Sequence, residues 1–102
     1  MAIGQGQVGT SSTTLYTSTN NTAITVIFFC NTTGSDATLS VNVVQSGGSA
    51  GATNQIIKDL TIPGGDTYIM NAEKMVLGNA DTIQAISGTS NAITASISYV
   101  SI

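Results

Sequence analysis

The sequence predicts an all-β protein, an antiparallel β-sandwich of seven to eight short strands in an Ig-like or jelly-roll-like arrangement. Apolar residues alternate with Thr, Ser and Asn along most of the 102-residue chain, which is the period of a strand with one buried face. Clusters of Gly, Asn, Ser and Asp interrupt this alternation at the spacing of turns in a sandwich. One segment, residues 72–77, also fits a helical turn, but it is too short to form a stable helix.

The first element is predicted to be a flexible N-terminal arm over residues 1–12, followed by a single β-sandwich domain over residues 13–102. The arm holds little apolar material, and ordering its backbone costs about 1 to 2 kcal/mol per residue. We therefore expect it to be ordered by a neighbouring protein, with Ile3 and Val8 as its anchors. A chain of this size forms one domain that buries roughly 60 to 70% of its unfolded surface.

The first two strands are predicted at residues 13–17 and 22–30, separated by an Asn-rich turn. The second strand begins in alternation and then becomes apolar on both faces at Ile27, Phe28 and Phe29. Both faces of such a strand must be covered. We therefore expect Ile27 and Phe29 to lie on a face that alternation leaves open, where they contact a partner.

The next strand, around Leu39, Val41 and Val43, has the clearest period of two and is predicted to be half-buried. A Gly/Ser tract at residues 46–52 follows and is predicted to be a flexible loop, because it lacks the Lys and the helix of a phosphate-binding loop. Turn signals, among them Pro63-Gly64-Gly65, separate the remaining predicted strands, which cover residues 56–62, 66–71, 82–87 and 93–99.

The composition argues against an enzyme. Only 7% of the residues are charged, and His, Arg and Trp are absent, so the usual groups for acid, base or metal chemistry are missing. The net charge is −3 and the two lysines cannot form a phosphate-neutralising patch, which excludes nucleic acid as an expected partner. The longest apolar stretch, residues 26–30, is far shorter than the ~20 residues of a membrane span. The N-terminus lacks signal-peptide features, so we expect a protein made and kept in a cytoplasm.

A few residues could still carry a ligand. Asp36, Asp66 and Asp81 lie in predicted turns and could supply a Ca²⁺ site, but their spacing matches no calcium loop and Asp commonly accepts turn hydrogen bonds. We predict no metal and no cofactor. A carbohydrate-binding module that uses Tyr16 or Tyr68 as its aromatic platform is the alternative from another functional class. The lone cysteine, within the apolar run at residues 26–30, is predicted to be a buried, unreactive thiol.

A surface with so few charges repels copies of itself poorly, so we expect a homo-oligomer or packing among neighbours. Three runs of the sequence also resemble small virion structural proteins of tailed bacteriophages, of the type found in cyanobacterial phages: residues 8–17 (VGTSSTTLYT), 28–34 (FFCNTTG) and 81–85 (DTIQA).

The resemblance covers nearly the whole chain, and its motifs are structural. It implies a virion location, other virion proteins such as the major capsid or tail proteins as partners, and no catalytic role. Because the chain has the length of one short domain, a capsid decoration or cement subunit is the expected role, with a tail, neck or fibre component as the alternative.

Overall fold

The computed structural model describes the backbone of residues 2–102 and the side chains of residues 3–71 and 75–102. Its elements are eight strands and a single 3-10 turn at Ala52–Asn54. The strands are β1 (Ala2–Gln7), β2 (Thr13–Thr17), β3 (Thr22–Asn31), β4 (Ala37–Val44), β5 (Gln55–Ile62), β6 (Thr67–Leu77), β7 (Thr82–Ser87) and β8 (Ile93–Ser101).

The strands form two four-stranded sheets. Sheet A has the order β1-β8-β3-β6, and sheet B has the order β2-β7-β4-β5. Every neighbouring pair is antiparallel. The predicted all-β antiparallel sandwich is therefore confirmed. The backbone of residues 72–77, where a helical turn competed in the sequence, is part of β6.

The core lies between the two sheets and is built from alternating strand positions. In β7, and in β8 from Ile93 to Ile97, every second residue is buried, as the period of two predicts. Aliphatic side chains and one aromatic ring fill the space, and the largest fully buried ones are Phe29, Ile24, Ile27, Leu39, Leu77, Ile83, Ile93 and Ile97.

A β-bulge in β3 decides which of its apolar residues face this core. Ile24 and Val26 pair with residues of β8 that are consecutive in sequence, so Thr25 is an extra residue in the ladder. The extra residue moves the inward positions from even to odd numbers. Ile24 points inward before the bulge, and Ile27 and Phe29 point inward after it. The expectation that Ile27 and Phe29 lie on an open face is corrected, because it assumed unbroken alternation.

The N-terminal segment also differs from the expectation. Residues 2–7 form β1 and pair with β8 without interruption, so they are not a flexible arm in this structure. The pairing continues past the strand, because the Val8 N–H donates to the Ile93 carbonyl at 2.9 Å and the Val8 carbonyl accepts the Asn91 N–H at 3.1 Å. The Ser87 N–H of β7 donates to the Gly9 carbonyl at 2.9 Å, which also ties the segment to sheet B. Val8 is fully buried. Main-chain hydrogen bonds, which a count of apolar side chains does not include, stabilise this segment.

The Gly/Ser tract after β4 folds over the outer side of sheet B. The Asn42 side-chain amide donates to the Gly51 carbonyl at 2.8 Å and to Asn54 Oδ1 at 2.7 Å. The Gly51 N–H donates back to Asn54 Oδ1 at 3.0 Å. Asn42 and Val44, which point away from the core, are buried beneath this cover. The tract is therefore held by an amide network, where the sequence suggested a flexible loop.

At the opposite end of the sandwich, Asn31 joins the two sheets. This side chain at the end of β3 has no exposed surface. Its amide donates to the carbonyls of Ser35 at 2.7 Å and Ile62 at 2.8 Å, while its Oδ1 accepts the Thr33 N–H at 3.0 Å. One amide therefore connects β3 of sheet A, the loop after it and the end of β5 in sheet B.

The predicted turn at Pro63-Gly64-Gly65 packs directly against the loop that follows Asn31. A Cβ atom on Gly64 would lie 2.4 Å from the carbonyl carbon of Gly34, so no other residue fits without moving one of the loops. Gly65 has a φ of +78°, which glycine adopts without strain. The Gly65 N–H donates to the Asn31 carbonyl at 3.0 Å, which completes this junction.

We predict that Asn31→Ala lowers the free energy of unfolding by about 2 to 4 kcal/mol, because it leaves two carbonyls and one N–H without their partner in a buried site. Urea unfolding of the purified protein measures the change. Asn21→Ala is the control, since Asn21 is exposed and its replacement should cost less than about 0.5 kcal/mol. Equal effects of the two substitutions would contradict the role assigned to Asn31.

Candidate protein-binding face

The acidic residues were the only candidates for catalysis or metal binding, and Asp81 has a structural role. Its Oδ1 accepts the Ser46 N–H and its Oδ2 accepts the Gly78 N–H, each at 2.8 Å. The carboxylate thereby ties the turn before β7 to the loop after β4. Among the residues with described side chains, no group of three or more Cys, Asp or Glu is arranged to hold a metal ion.

Asp59 is also used structurally. It lies at a bulge in β5 with a φ of +51°, and its N–H donates to the Ser40 hydroxyl oxygen at 2.9 Å. The Ser40 hydroxyl donates in turn to Asp59 Oδ1 at 3.4 Å. A positive φ is uncommon for a residue other than glycine, and Asp tolerates it better than most. These contacts hold β5, the edge strand of sheet B, against β4, and the Asp59 carboxylate is hydrogen-bonded to Ser40.

The most distinctive surface is the outer face of sheet A, which we define by three cross-strand rows. Each row crosses β1, β8, β3 and β6 in that order and places one outward side chain from each strand. The rows are Ile3, Ser98, Val26, Asn71; then Gln5, Ser96, Phe28, Ile69; and then Gln7, Thr94, Cys30, Thr67.

None of the residues in these three rows is charged. Hydroxyl and amide side chains surround an apolar strip formed by Val26, Phe28 and Ile69 on the neighbouring strands β3 and β6. Phe28 is 40% exposed and Ile69 is 58% exposed. An exposed apolar centre with a neutral polar surround is the composition of a protein-binding surface.

Of the four interface residues predicted from the sequence, this face contains only Ile3, which is exposed. Val8, Ile27 and Phe29 have no exposed surface and lie in the core. A partner cannot contact their side chains, so their assignment to an interface is corrected. The reasons are the bulge in β3 for Ile27 and Phe29, and the ordered N-terminal segment for Val8.

Sequence reasoning missed Phe28 and Ile69. The apolar run at residues 26–30 did signal that the outer side of this strand needs cover, but it could not show which residues point outward. Cys30 lies on the same outer face and is half-buried, which corrects the prediction of a buried thiol. The exposure of Ile69 follows from its position in β6, an edge strand of sheet A. Strand order decides which strands are edges, so the sequence carried no signal for this residue.

Two clefts lie elsewhere. A groove of about 790 Å³ opens between the cover of sheet B and the ends of β5 and β6, and it is lined by polar side chains, by apolar residues such as Ile56 and Leu77, and by Asp81. A smaller cleft of about 120 Å³ lies at the open edge between β5 and β6, where Asp66 and the exposed Tyr68 meet. Either could hold a small polar ligand, whereas the outer face of sheet A fits a larger partner.

Tyr16, the other candidate sugar platform, is engaged within the fold. Its ring packs against Tyr99, with centroids 4.5 Å apart and the planes at 41°. Its hydroxyl donates to Thr22 Oγ1 at 3.2 Å. Both rings pack against Gly4 of β1, so Tyr16 holds the edge of the sandwich together and does not offer a free ring face.

Comparisons with known proteins do not assign this chain to a family. No protein-family model matches it, and no curated protein matches it. Among solved structures, it is similar to a chain in the structure of infectious bursal disease virus, Gx strain, with a TM-score of 0.49 and 14% identity. The match covers 95% of this chain and 28% of that chain, so this chain spans little more than a quarter of the other's length. The described residues include no helix long and apolar enough to cross a membrane.

The assignment of Phe28 to the surface and Phe29 to the core predicts opposite results for two adjacent substitutions. Phe29→Ala should lower the free energy of unfolding by about 3 to 5 kcal/mol, because it leaves a cavity in the core. Phe28→Ala should lower it by about 1 kcal/mol or less. Chemical denaturation of the two variants measures both values. A larger loss for Phe28→Ala would mean that the two faces have been assigned the wrong way round.

Proposed function

We propose that this protein is a non-enzymatic structural component of a bacteriophage virion, and that it acts as a capsid decoration or cement subunit. The observation that carries the proposal is the outer face of sheet A, which is uncharged in its three defined rows and exposes the neighbouring apolar side chains of Phe28 on β3 and Ile69 on β6. A face of this kind binds another protein surface through burial of its apolar centre and hydrogen bonds at its rim. The partner is the major capsid protein.

The shape and rigidity of the face support this role. Its side chains stand on four hydrogen-bonded strands, so binding does not require ordering of loops, and little conformational entropy is lost. Residues from the outer strands, such as Ile3 and Ile69, extend the surface across the full width of the sheet. A binding subunit of this type needs no reactive side chain, in keeping with the composition of the chain.

The motifs that carry the resemblance to phage virion proteins support the same proposal through the parts they play in the fold. Tyr16 packs on Tyr99 at one edge, Asn31 joins the sheets at one end, and Asp81 ties two loops at the other. Each motif builds the sandwich. A resemblance in such positions concerns the scaffold, so a tail, neck or fibre position in the particle is the alternative within the same class.

The proposal includes a setting. The subunit is made in the host cytoplasm, is incorporated into the particle and binds other virion proteins, with neither nucleic acid nor a membrane as its partner. The two lysines and the net charge of −3 support the absence of a nucleic-acid partner, because binding to phosphates requires several cations on one surface.

The experiment is mass spectrometry of purified particles together with one substitution on each of two surfaces. We predict that the protein is present in the head fraction and that Ile69→Lys lowers its copy number at least tenfold, because a desolvated lysine in the apolar centre opposes binding. Ile56→Lys is the matched control: Ile56 is 47% exposed and Ile69 is 58% exposed, and Ile56 lies on sheet B beside the groove.

The control should leave the copy number unchanged. Absence of the protein from the particles contradicts the virion role, and presence in the tail alone contradicts the decoration role. A loss caused by Ile56→Lys and not by Ile69→Lys would show that the groove side, not the outer face of sheet A, makes the contact.

The cleft at the open edge favours one function of another class, a carbohydrate-binding module. An exposed tyrosine ring beside a carboxylate, as at Tyr68 and Asp66, can stack on a sugar ring and accept its hydroxyl hydrogens. This function predicts glycan-array binding that Tyr68→Ala abolishes and Ile69→Ala preserves, since Ile69 is the next residue and points to the opposite side of the sheet. An array without signal for the parent protein excludes it.

A further inference from the structure

The sandwich has four edge strands, and one of them differs from the other three. β1 and β6 are the edges of sheet A, and β2 and β5 are the edges of sheet B. The register of β2 against β7 shifts between Thr14 and Tyr16, and the register of β5 against β4 shifts twice. The register of β6 against β3 also shifts, because Ile24 pairs with Met75 and Val26 pairs with Asn71. In β1, six consecutive residues pair with six consecutive residues of β8 without a shift.

Charged residues distinguish β1 from the edge strands β5 and β6, whereas β2 contains none either. β5 contains Lys58 and Asp59, and the sequence of β6 contains Glu73 and Lys74. These four are more than half of the charged residues of the chain, which has two lysines and five acidic residues. β1, with the sequence AIGQGQ, contains no charged residue and no proline. Bulges, edge charges and prolines are the devices that prevent a strand edge from pairing with another chain, and β1 has none of them.

The packing beneath β1 also keeps this edge regular. Its inward positions are Gly4 and Gly6, whose missing side chains leave room for Tyr16, Tyr99 and Leu15, each within 3.8 Å of the position of a Cβ atom. The strand therefore lies flat on a layer of larger side chains. Its outward positions, Ile3, Gln5 and Gln7, are exposed.

β8 is the one neighbour of β1 in sheet A. Along β1, every second residue directs both its N–H and its C=O away from β8. These groups form a row that a further strand could bind through main-chain hydrogen bonds. Since the strand is straight and uncharged, nothing on its own surface opposes such an addition.

We propose that β1 pairs antiparallel with β1 of a second copy of this chain, about a two-fold axis, so that the two A sheets become one continuous eight-stranded sheet. A second copy is the occupant because antiparallel pairing of two identical edges is self-complementary, and each copy brings the same unpaired row.

The side chains at this edge agree with a two-fold axis. With Gln5 at the axis, Gln5 lies opposite its own copy and Ile3 lies opposite position 7 of the second copy, and like charges at the axis would oppose pairing. Ile3, Gln5 and Gln7 are neutral, and glutamine amides can hydrogen-bond to each other. Only β1 combines these neutral residues with an unbroken ladder.

This inference goes beyond the proposed function, because it concerns contact between copies and not contact with the capsid. The pairing would join the outer faces of two A sheets side by side. It would thereby double the area of the uncharged surface without covering Phe28 or Ile69, which lie on the strands away from β1.

The first test is sedimentation velocity of the purified protein over a range of concentrations. We expect the parent to form a dimer as its concentration rises and Gln5→Lys to raise the dissociation constant at least tenfold, because it places two like charges at the two-fold axis. Thr61→Lys is the matched control: it adds the same charge at an exposed position on β5, at the opposite side of the sandwich, and should dimerise like the parent. A parent that is monomeric up to about 1 mM, or a Gln5→Lys variant that dimerises like the parent, overturns the proposal.

A second test reports the geometry directly. In a Cys30→Ser background, Ile3→Cys, Gln5→Cys and Thr61→Cys are oxidised separately and analysed on a non-reducing gel. Residues opposite each other in an antiparallel pair are close enough for a disulfide. A cross-linked dimer is therefore expected at position 5, with less at position 3, which lies opposite position 7 of the second copy, and none at position 61. Absence of a cross-link at position 5, or a cross-link at position 61, overturns the proposal. Both tests use the isolated protein, so their failure would leave the particle experiment on the proposed function unaffected.

Discussion

The bulge at Thr25 is the constraint on which most of this structure depends. β3 lies between β8 and β6 in sheet A, and its inward residues form the centre of the core. The single extra residue allows Ile24 on one side of the bulge, and Ile27 and Phe29 on the other, to point into the same core. The same shift turns Val26 and Phe28 outward, so core and binding face arise from one local irregularity.

Hydrogen bonds of uncharged side chains, to the backbone and to each other, make many of the connections between loops and sheets in this protein. Asn31 joins the two sheets, and Asn42 and Asn54 hold the cover of sheet B. The buried Ser18 donates to the buried Thr22 at 2.9 Å across the base of the turn before β3. No buried side-chain nitrogen or oxygen among the described residues is without a hydrogen-bond partner. This satisfaction allows several polar side chains to be buried beside the apolar core with almost no charge. The three rows of the outer face of sheet A are also uncharged, so the binding that we propose there would depend on shape and apolar contact.

Much of the fold could be predicted from local patterns. The alternation of β8 correctly indicated a strand with one buried face, because side-chain direction in a strand depends on neighbours in sequence. The alternation around Leu39 correctly placed that residue and Val41 in the core, but the prediction of a half-buried strand is wrong there, because the tract after β4 also covers Asn42 and Val44 on its outer face. The turn at Pro63-Gly64-Gly65 was predicted from its residues for a similar local reason. The candidate interface was predicted less well. Ile3 is exposed, and its contact with a partner stays a prediction, but Val8 lies in the core because its segment pairs with β8, a strand more than eighty residues away along the chain.

The sequence by itself determined the class of fold, the sparse charge and the need to cover both sides of the second predicted strand, since composition and period are local properties of the chain. Only the tertiary structure decided which side chains cover each side. Strand order placed β1 and β6 at edges, and the register of β3 against β8 turned Phe28 outward and Phe29 inward. Register depends on hydrogen bonds between segments far apart in sequence, and one extra residue reverses every position after it. The alternation of apolar and polar residues along a single strand does not show that reversal.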